Sequence, residues 1–333
     1  MRPTVLLLAA LIVASCGGAA PQPGAGGSSS AAAWWPLRGT AAPDADAIHR
    51  RPVVVKVAND PAARPQSGLA QADLVLEIPV EGGLTRYALV FQSEDPTSVG
   101  PVRSARQSDL NYLSTLRAIL AHVGASESVT QMVRDAAKDG SFIDIDEFQH
   151  PEAFDRVAGK VAPYNAYTSV AKVREAAGSA GRDRVDVPAL QYDALTHAAS
   201  TAGQALAIPY VGAGRVAYAY DESAGAYRRT QDGKPTMDAD AKREVMPDNV
   251  VVIKTDVKEI PGTADVTGAP SVDYRATGSG TVVVLREGKR FDGKWSREGT
   301  GMYRFTDAAG AAITLKQGRT WIHIVPADME LAG

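Results

Sequence analysis

A chain of 333 residues with a formal net charge of −3, 45% hydrophobic and 22% charged residues, has an ordinary globular composition and enough length for two separate cores. The charge offers no general attraction to nucleic acid or to an acidic membrane surface. There is one cysteine, and none of the 5 histidines falls in a zinc motif, so disulfides, Cys–His zinc sites and cofactors are not expected.

The N-terminus sets the compartment. "MRPTVLLLAALIVASC" has a basic start, an apolar run Val5–Val13 and small residues before Cys16. The run is too short to span a bilayer and fits the core of a signal peptide over residues 1–15. A lipoprotein cleavage site is expected before Cys16, which would then carry acyl chains such as palmitate; an ordinary signal peptide with an incidental cysteine is the other reading. Lipidation predicts a protein held on the outer face of the cytoplasmic membrane. Residues 16–50 are rich in Gly, Ala, Ser and Pro and predict a flexible tether. Trp34 and Trp35 within it can pack on the first domain or sit at the membrane interface.

Residues 51–190 predict an α/β layered domain. The apolar run Val53–Val57 reads as a buried strand, "ADLVLEIPV" (72–80) as a second and "RYALVFQ" (86–92) as a third. "EGGL" supplies two glycines for a tight connection. "SARQSDLNYLSTLRA" places Leu110, Leu113 and Leu116 on one face and predicts a helix from Ser104. "ILAHV" reads as a short strand, and "SESVTQMVRDAAKD" as a helix capped by Ser126 or Ser128. A further helix is expected within 168–177.

The blocks "RPQSGLAQADLVLE", "EGGLTR", "GPVRSAR" and "YNAYTS" resemble the signature blocks of the YerB-like bacterial lipoproteins, over roughly residues 51 to 326 and in two adjoining parts. The resemblance implies an exported lipoprotein. It transfers no biochemical activity, because the domains of that family are of unknown function.

The residues themselves point to an anion. Arg64, Arg86, Arg103 and Arg106 lie at turns or element ends. If Arg103 and Arg106 both occupy the first helical turn, they share a face beside the positive end of the helix dipole. Arginine grips phosphate or carboxylate through two parallel hydrogen bonds. On this reading Arg86, Arg103 and Arg106 contact the anion, Arg64 closes the cleft, and Glu77 and Glu81 orient the arginines. The rival is internal, with Glu77 and Glu81 pairing the same arginines in a structural salt-bridge network. Asp73, on a strand ahead of the arginine-rich turn, is similar in outline to the LytR-CpsA-Psr transferases, which hold a polyprenyl pyrophosphate with arginines and acidic groups. No acid follows Arg103 in "PVRSAR", where those enzymes have an Arg-Asp pair. "HVGASES" lacks the glycine pattern of a nucleophile elbow, which leaves Ser126 as a cap and His122 as a hydrogen-bonded core residue. "DIDEFQH" gathers Asp144, Asp146, Glu147 and His150 in what reads as a solvated loop rather than a calcium site. Tyr164 and Tyr167 of "YNAY" can stack on a sugar or peptide, or close the core.

Residues 191–214 are expected to bridge to a strand-rich C-terminal domain over 215–330, a curved sheet or partial barrel, which makes the whole α+β. Its predicted elements are a hairpin pairing Val216–Tyr220 with Tyr227–Thr230, a strand over 249–257, a pair around Gly288, a turn at Asp307–Gly310 and a closing strand in "GRTWIHIVP". Tyr227, Arg228, Trp295, Arg297, Trp321 and His323 suit either a sugar-binding groove or mutual packing. The expected function is therefore that of an envelope lipoprotein binding an anionic envelope ligand or a cell-wall partner protein. A transferase or hydrolase acting on wall glycan or polyprenyl-linked precursors is the alternative.

Overall fold

The computed structural model describes residue 1 and residues 32–194, 198–261, 263 and 268–333. Residues 2–31, and with them most of the signal peptide, Cys16 and the start of the tether, lie outside the described residues. The fold is α+β, as expected. Strands β1 (Val53–Ala58), β2 (Leu74–Pro79) and β3 (Thr85–Phe91) come first. Helix α1 (Leu110–Leu116), β4 (Ile119–His122), α2 (Glu127–Ala137) and β5 (Ile143–Asp146) follow. A short hairpin, β6 (Phe154–Arg156) and β7 (Ala166–Thr168), leads to α3 (Val170–Ala176). The second half is built on β8 (Ala205–Tyr210), β9 (Gly214–Asp221), β10 (Ala226–Gln231), β11 (Asn249–Thr255), β12 (Gly278–Arg286), β13 (Lys289–Arg297), β14 (Arg304–Thr306) and β15 (Thr320–Pro326).

One long sheet runs through both halves in the order β14-β13-β12-β11-β15-β2-β3-β1-β4-β5. The join is β15, the last of these strands in the chain. It pairs parallel with β2, Leu74 opposite Thr320 and Glu77 opposite His323, and parallel with β11 on its other side. Both faces of the sheet are covered, which explains why β1 is apolar on both sides apart from the buried Lys56. Val53, Val55 and Val57 join a core with α3 and the small sheet β8–β10, whereas Val54 faces α1 and α2. The predicted hairpin is present with Tyr220 opposite Tyr227.

Three local expectations are corrected. The helix expected from Ser104 begins at Leu110, after a 3-10 turn over Gln107–Asp109, so Arg103 and Arg106 precede it in extended backbone. Asp109, at the end of that turn, points inward to the buried Lys56 ammonium at 2.7 Å. Residues assigned to the tether already pack on the body: Trp35 and Leu37 are buried, and the Arg50 guanidinium lies over the Trp35 ring. Trp34 is half exposed. The bridge expected over 191–214 contains β8, a core strand whose Leu206 and Ile208 are buried.

Candidate functional site

Five stretches of the first half, with Ala269 and Ser271 of the second, converge on a cavity of about 460 Å³. Arg86 enters from the start of β3. Glu81 enters from the β2–β3 turn, where Gly82 and Gly83 both adopt positive φ and let the chain reverse tightly. Arg103 and Arg106 come from the extended segment ahead of α1, fastened along β1 by the Arg103 amide donating to the Lys56 carbonyl at 2.9 Å. Ala125 and Ser126 come from the N-terminus of α2, where Ser126 Oγ accepts from the Val129 amide. Tyr164 closes one side.

The pairing inside the cavity is uneven. Arg86 donates to Asp60 at 3.0 Å and Arg106 to Glu81 at 2.8 Å. Arg103 has no carboxylate partner among the described residues. Its guanidinium lies 5.5 Å from the centre of the Tyr164 ring, and its Nε is buried without a hydrogen-bond acceptor. Three cations therefore face two anions. The imbalance reaches the neighbours. Burial lowers the Arg86 pKa, Asp60 opposes the shift, and Arg106 and Arg103 reinforce it. Burial also lowers the pKa of Lys56, against the pull of Asp109 and with the push of Arg106 and Arg86. Asp109 ties this floor together, since its other oxygen accepts from the Arg106 amide at 2.8 Å.

His122 and Asp146 hold the loop that carries Ala125 and Ser126. His122 donates from Nδ1 to the Gly124 carbonyl at 2.8 Å and bonds Asp144 through Nε2 at 2.8 Å, while Asp146 accepts from the Gly124 amide. Burial disfavours the charged ring, but the Asp144 carboxylate outweighs it and raises the His122 pKa. His122 is thus the hydrogen-bonded core residue expected. The solvated-loop expectation for 144–150 is corrected, because Asp144 and Asp146 sit on β5 and brace this loop.

Two of the expected site residues lie elsewhere. Arg64 binds Asp232 at 3.2 Å and the carbonyls of Asn59 and Ala213, beside a different cavity that includes Lys234. Glu77 is fully buried and pairs with Arg229 of the second half at 3.0 Å. Its oxygens also accept from Asn59, Thr85 and the Trp321 indole. Arg229 lies against the rings of Tyr87, at 5.6 Å, and Trp321, at 4.6 Å, which meet each other edge to face. Beyond Glu77 lies His323, whose ring nitrogens meet the Tyr210 and Tyr218 hydroxyls at 3.0 and 2.8 Å. Burial lowers the His323 pKa to about 4 against the attraction of Glu77, so the ring is neutral at pH 7. Sequence reasoning named Arg228 and missed Arg229. Strand alternation carries the signal: with Tyr227 facing inward, Arg229 faces inward too, and Arg228 points out to Asp221 and Glu244.

The suggested aromatic groove of the second half is core. Tyr227, Trp295, Arg297, Trp321 and His323 are all buried. Asp73 is likewise structural: it accepts from the amides of Gln92 and Ser93 and from the Ser93 hydroxyl, at the far end of β2 from the arginine cavity.

Comparison with known proteins follows the same division of the chain. Residues 37–183 match the N-terminal domain, and residues 206–322 the C-terminal domain, of DUF3048, described as a protein of unknown function. YerB of Bacillus subtilis (strain 168), named as a lipoprotein, is 30% identical over 289 residues, covering 85% of this chain and 83% of YerB. The crystal structure of Bacillus subtilis YerB superposes with a TM-score of 0.77 at 28% identity, covering 90% of this chain and 100% of that one.

Proposed function

The chain belongs to the DUF3048 family, and from that premise we propose that it is a lipoprotein, anchored through Cys16 to the outer face of the cytoplasmic membrane, that holds an anionic ligand of the cell envelope in the cavity of Arg86, Arg103 and Arg106. The anchor rests on "VASC" after a short apolar run, and on the lipoprotein name of the Bacillus relative. The ligand rests on one observation above the others, the unpaired Arg103 in a cavity whose two carboxylates are already taken by Arg86 and Arg106. A partly desolvated guanidinium without a counterion is costly unless an acceptor reaches it. An anion there gains charge-assisted bonds from Arg103 and relieves the mutual repulsion of three arginines. The N-terminus of α2 adds a favourable dipole on the opposite wall.

The geometry gives no comparable support to catalysis. Asp60 and Glu81, the acids of the cavity, are each held by an arginine. Arg64 and Glu77, which do not line the cavity, have no part in this reading.

The test is thermal unfolding of the full chain in detergent with phosphate, polyprenyl phosphate, muropeptide and simple carboxylates, wild type beside Arg103→Ala. One of these anions raises the wild-type midpoint and leaves the variant unmoved; saturation at about a hundredfold Kd is worth roughly 2.7 kcal/mol. If every ligand leaves the wild type unmoved, or shifts both proteins equally, the reading fails.

A further inference from the structure

A second cavity, of about 370 Å³, lies where the two halves meet. Its floor is apolar, with Leu69, Val75 and Val245 among its walls and Trp321 beneath. The floor is rigid, since the Trp321 indole is tethered to Glu77 at 3.0 Å and its ring is covered by Arg229. The volume lies within the usual range of ligand pockets.

The cations at its mouth are unequal. Arg228 is paired with Asp221 and Glu244, and Arg319 with Glu94, which it shares with Arg38. Arg243 is exposed and has no carboxylate partner among the described residues; it spends one nitrogen on the Ala70 carbonyl at 3.0 Å. One free cation above an apolar floor suits a single negative charge on an apolar body.

The wall between them is an open main-chain edge. The Pro247 and Val245 carbonyls accept from the amides of Tyr227 and Arg229 on β10. Alternation of extended backbone turns the N–H and C=O of Met246, between them, away from β10. Neither group makes a main-chain hydrogen bond among the described residues, and Met246 lines the cavity. An extended segment added at such an edge gains main-chain bonds and a side-chain pocket together.

We propose that this cavity binds the carboxyl terminus of a peptide with an apolar last residue. The penultimate residue exchanges both main-chain bonds with Met246, the apolar side chain enters the cavity, and the terminal carboxylate meets Arg243. This site is independent of the arginine cavity proposed above.

Calorimetric titration of the full chain in detergent tests it with four probes: N-acetyl-Ala-Leu as the free acid, its carboxamide, the acid methylated on the alanine nitrogen, and octanoate. The free acid binds saturably. The carboxamide, the methylated acid and Arg243→Ala each weaken binding about tenfold or more, as the loss of a charge-assisted or main-chain bond requires. Arg103→Ala leaves the affinity unchanged. No saturable heat with the free acid, a carboxamide that binds as well as the acid, or unchanged affinity in Arg243→Ala overturns the proposal. Octanoate that matches the peptide overturns the peptide assignment, since an acyl acid needs no main-chain edge.

Discussion

Two arginine clusters of this molecule use the same side chains to opposite ends. Around Arg229 the charges close on themselves: the guanidinium has Glu77 as its counterion, the adjoining rings of Tyr87 and Trp321 against it and no exposure to solvent. Around Arg103 the charges do not close, because two acids serve three arginines and the cluster opens on a cavity. The first arrangement is what a chain does with a charge it must bury, and the second is the one on which the proposed anion site rests. The two readings of the sequence overlap at Arg106 and Glu81, which form an ion pair inside the cavity, and part at Glu77 and Arg103. Glu77 joined the network, and Arg103 stayed outside any.

The sharpest way to break this contrast is to remove one partner from each cluster in the absence of ligand. Arg229→Ala strands a buried carboxylate and costs about 3–5 kcal/mol in urea unfolding. Glu77→Ala costs about as much for the complementary reason. If Arg229→Ala unfolds no more easily than wild type, the closed cluster is not holding the halves together.

Acidity separates the clusters next. His323 is neutral in the fold, with its pKa lowered to about 4 from 6.5. The unfolded chain binds a proton there that the folded chain refuses, so stability falls as the pH drops from 6.5 toward 4, by at most about 1.4 kcal/mol per pH unit from this group. Glu77, its pKa lowered by Arg229 and His323 against the effect of burial, adds to the acid loss below its ordinary range. His122 works the other way. Its raised pKa gives stability that is complete below pH 6.5 and lost as the pH rises through the folded value. Urea unfolding at several pH values therefore finds a shallower acid limb in His323→Gln. In His122→Gln it finds a smaller loss above neutrality. An acid limb in His323→Gln as steep as that of wild type removes His323 from this account.

The smallest effect is expected at Arg103. Without ligand, Arg103→Ala gives up its contact with Tyr164 and also relieves repulsion on Arg86 and Arg106, so its unfolding free energy stays within about 1 kcal/mol of wild type. A loss as large as that of Arg229→Ala would make Arg103 a structural residue.

Much of the fold was legible because local pattern carries it. The apolar run of β1, the turn glycines after β2, the Ser126 cap of α2 and the hairpin register at Tyr220 and Tyr227 are all local signals. Pro209 interrupts the strand pattern of β8, an interruption that an edge strand tolerates. Leu110, Leu113 and Leu116 all fall within α1 as their spacing predicts, whereas the residues just ahead form a 3-10 turn from which Asp109 reaches the buried Lys56 ammonium, a partner no local pattern announces. Partners across the chain were not legible at all. Glu77 and Arg229 are 152 positions apart, and no spacing rule links them. Of the site, the convergence of Arg86, Arg103, Arg106 and Glu81 followed from their places at turns, whereas the separate fates of Arg64 and Glu77 depended on a second half that folds back over the first.

The place of β15 also sets the order in which this protein can come into being. β2 and β11 each keep a bare edge toward the other until Thr320–Pro326 slides between them, and that segment leaves the ribosome after everything it joins. Until then the growing chain carries two open strand edges, the kind of surface that pairs with the wrong neighbour. A stop codon a few residues before Thr320 removes little of the sequence and the whole seam of the sheet.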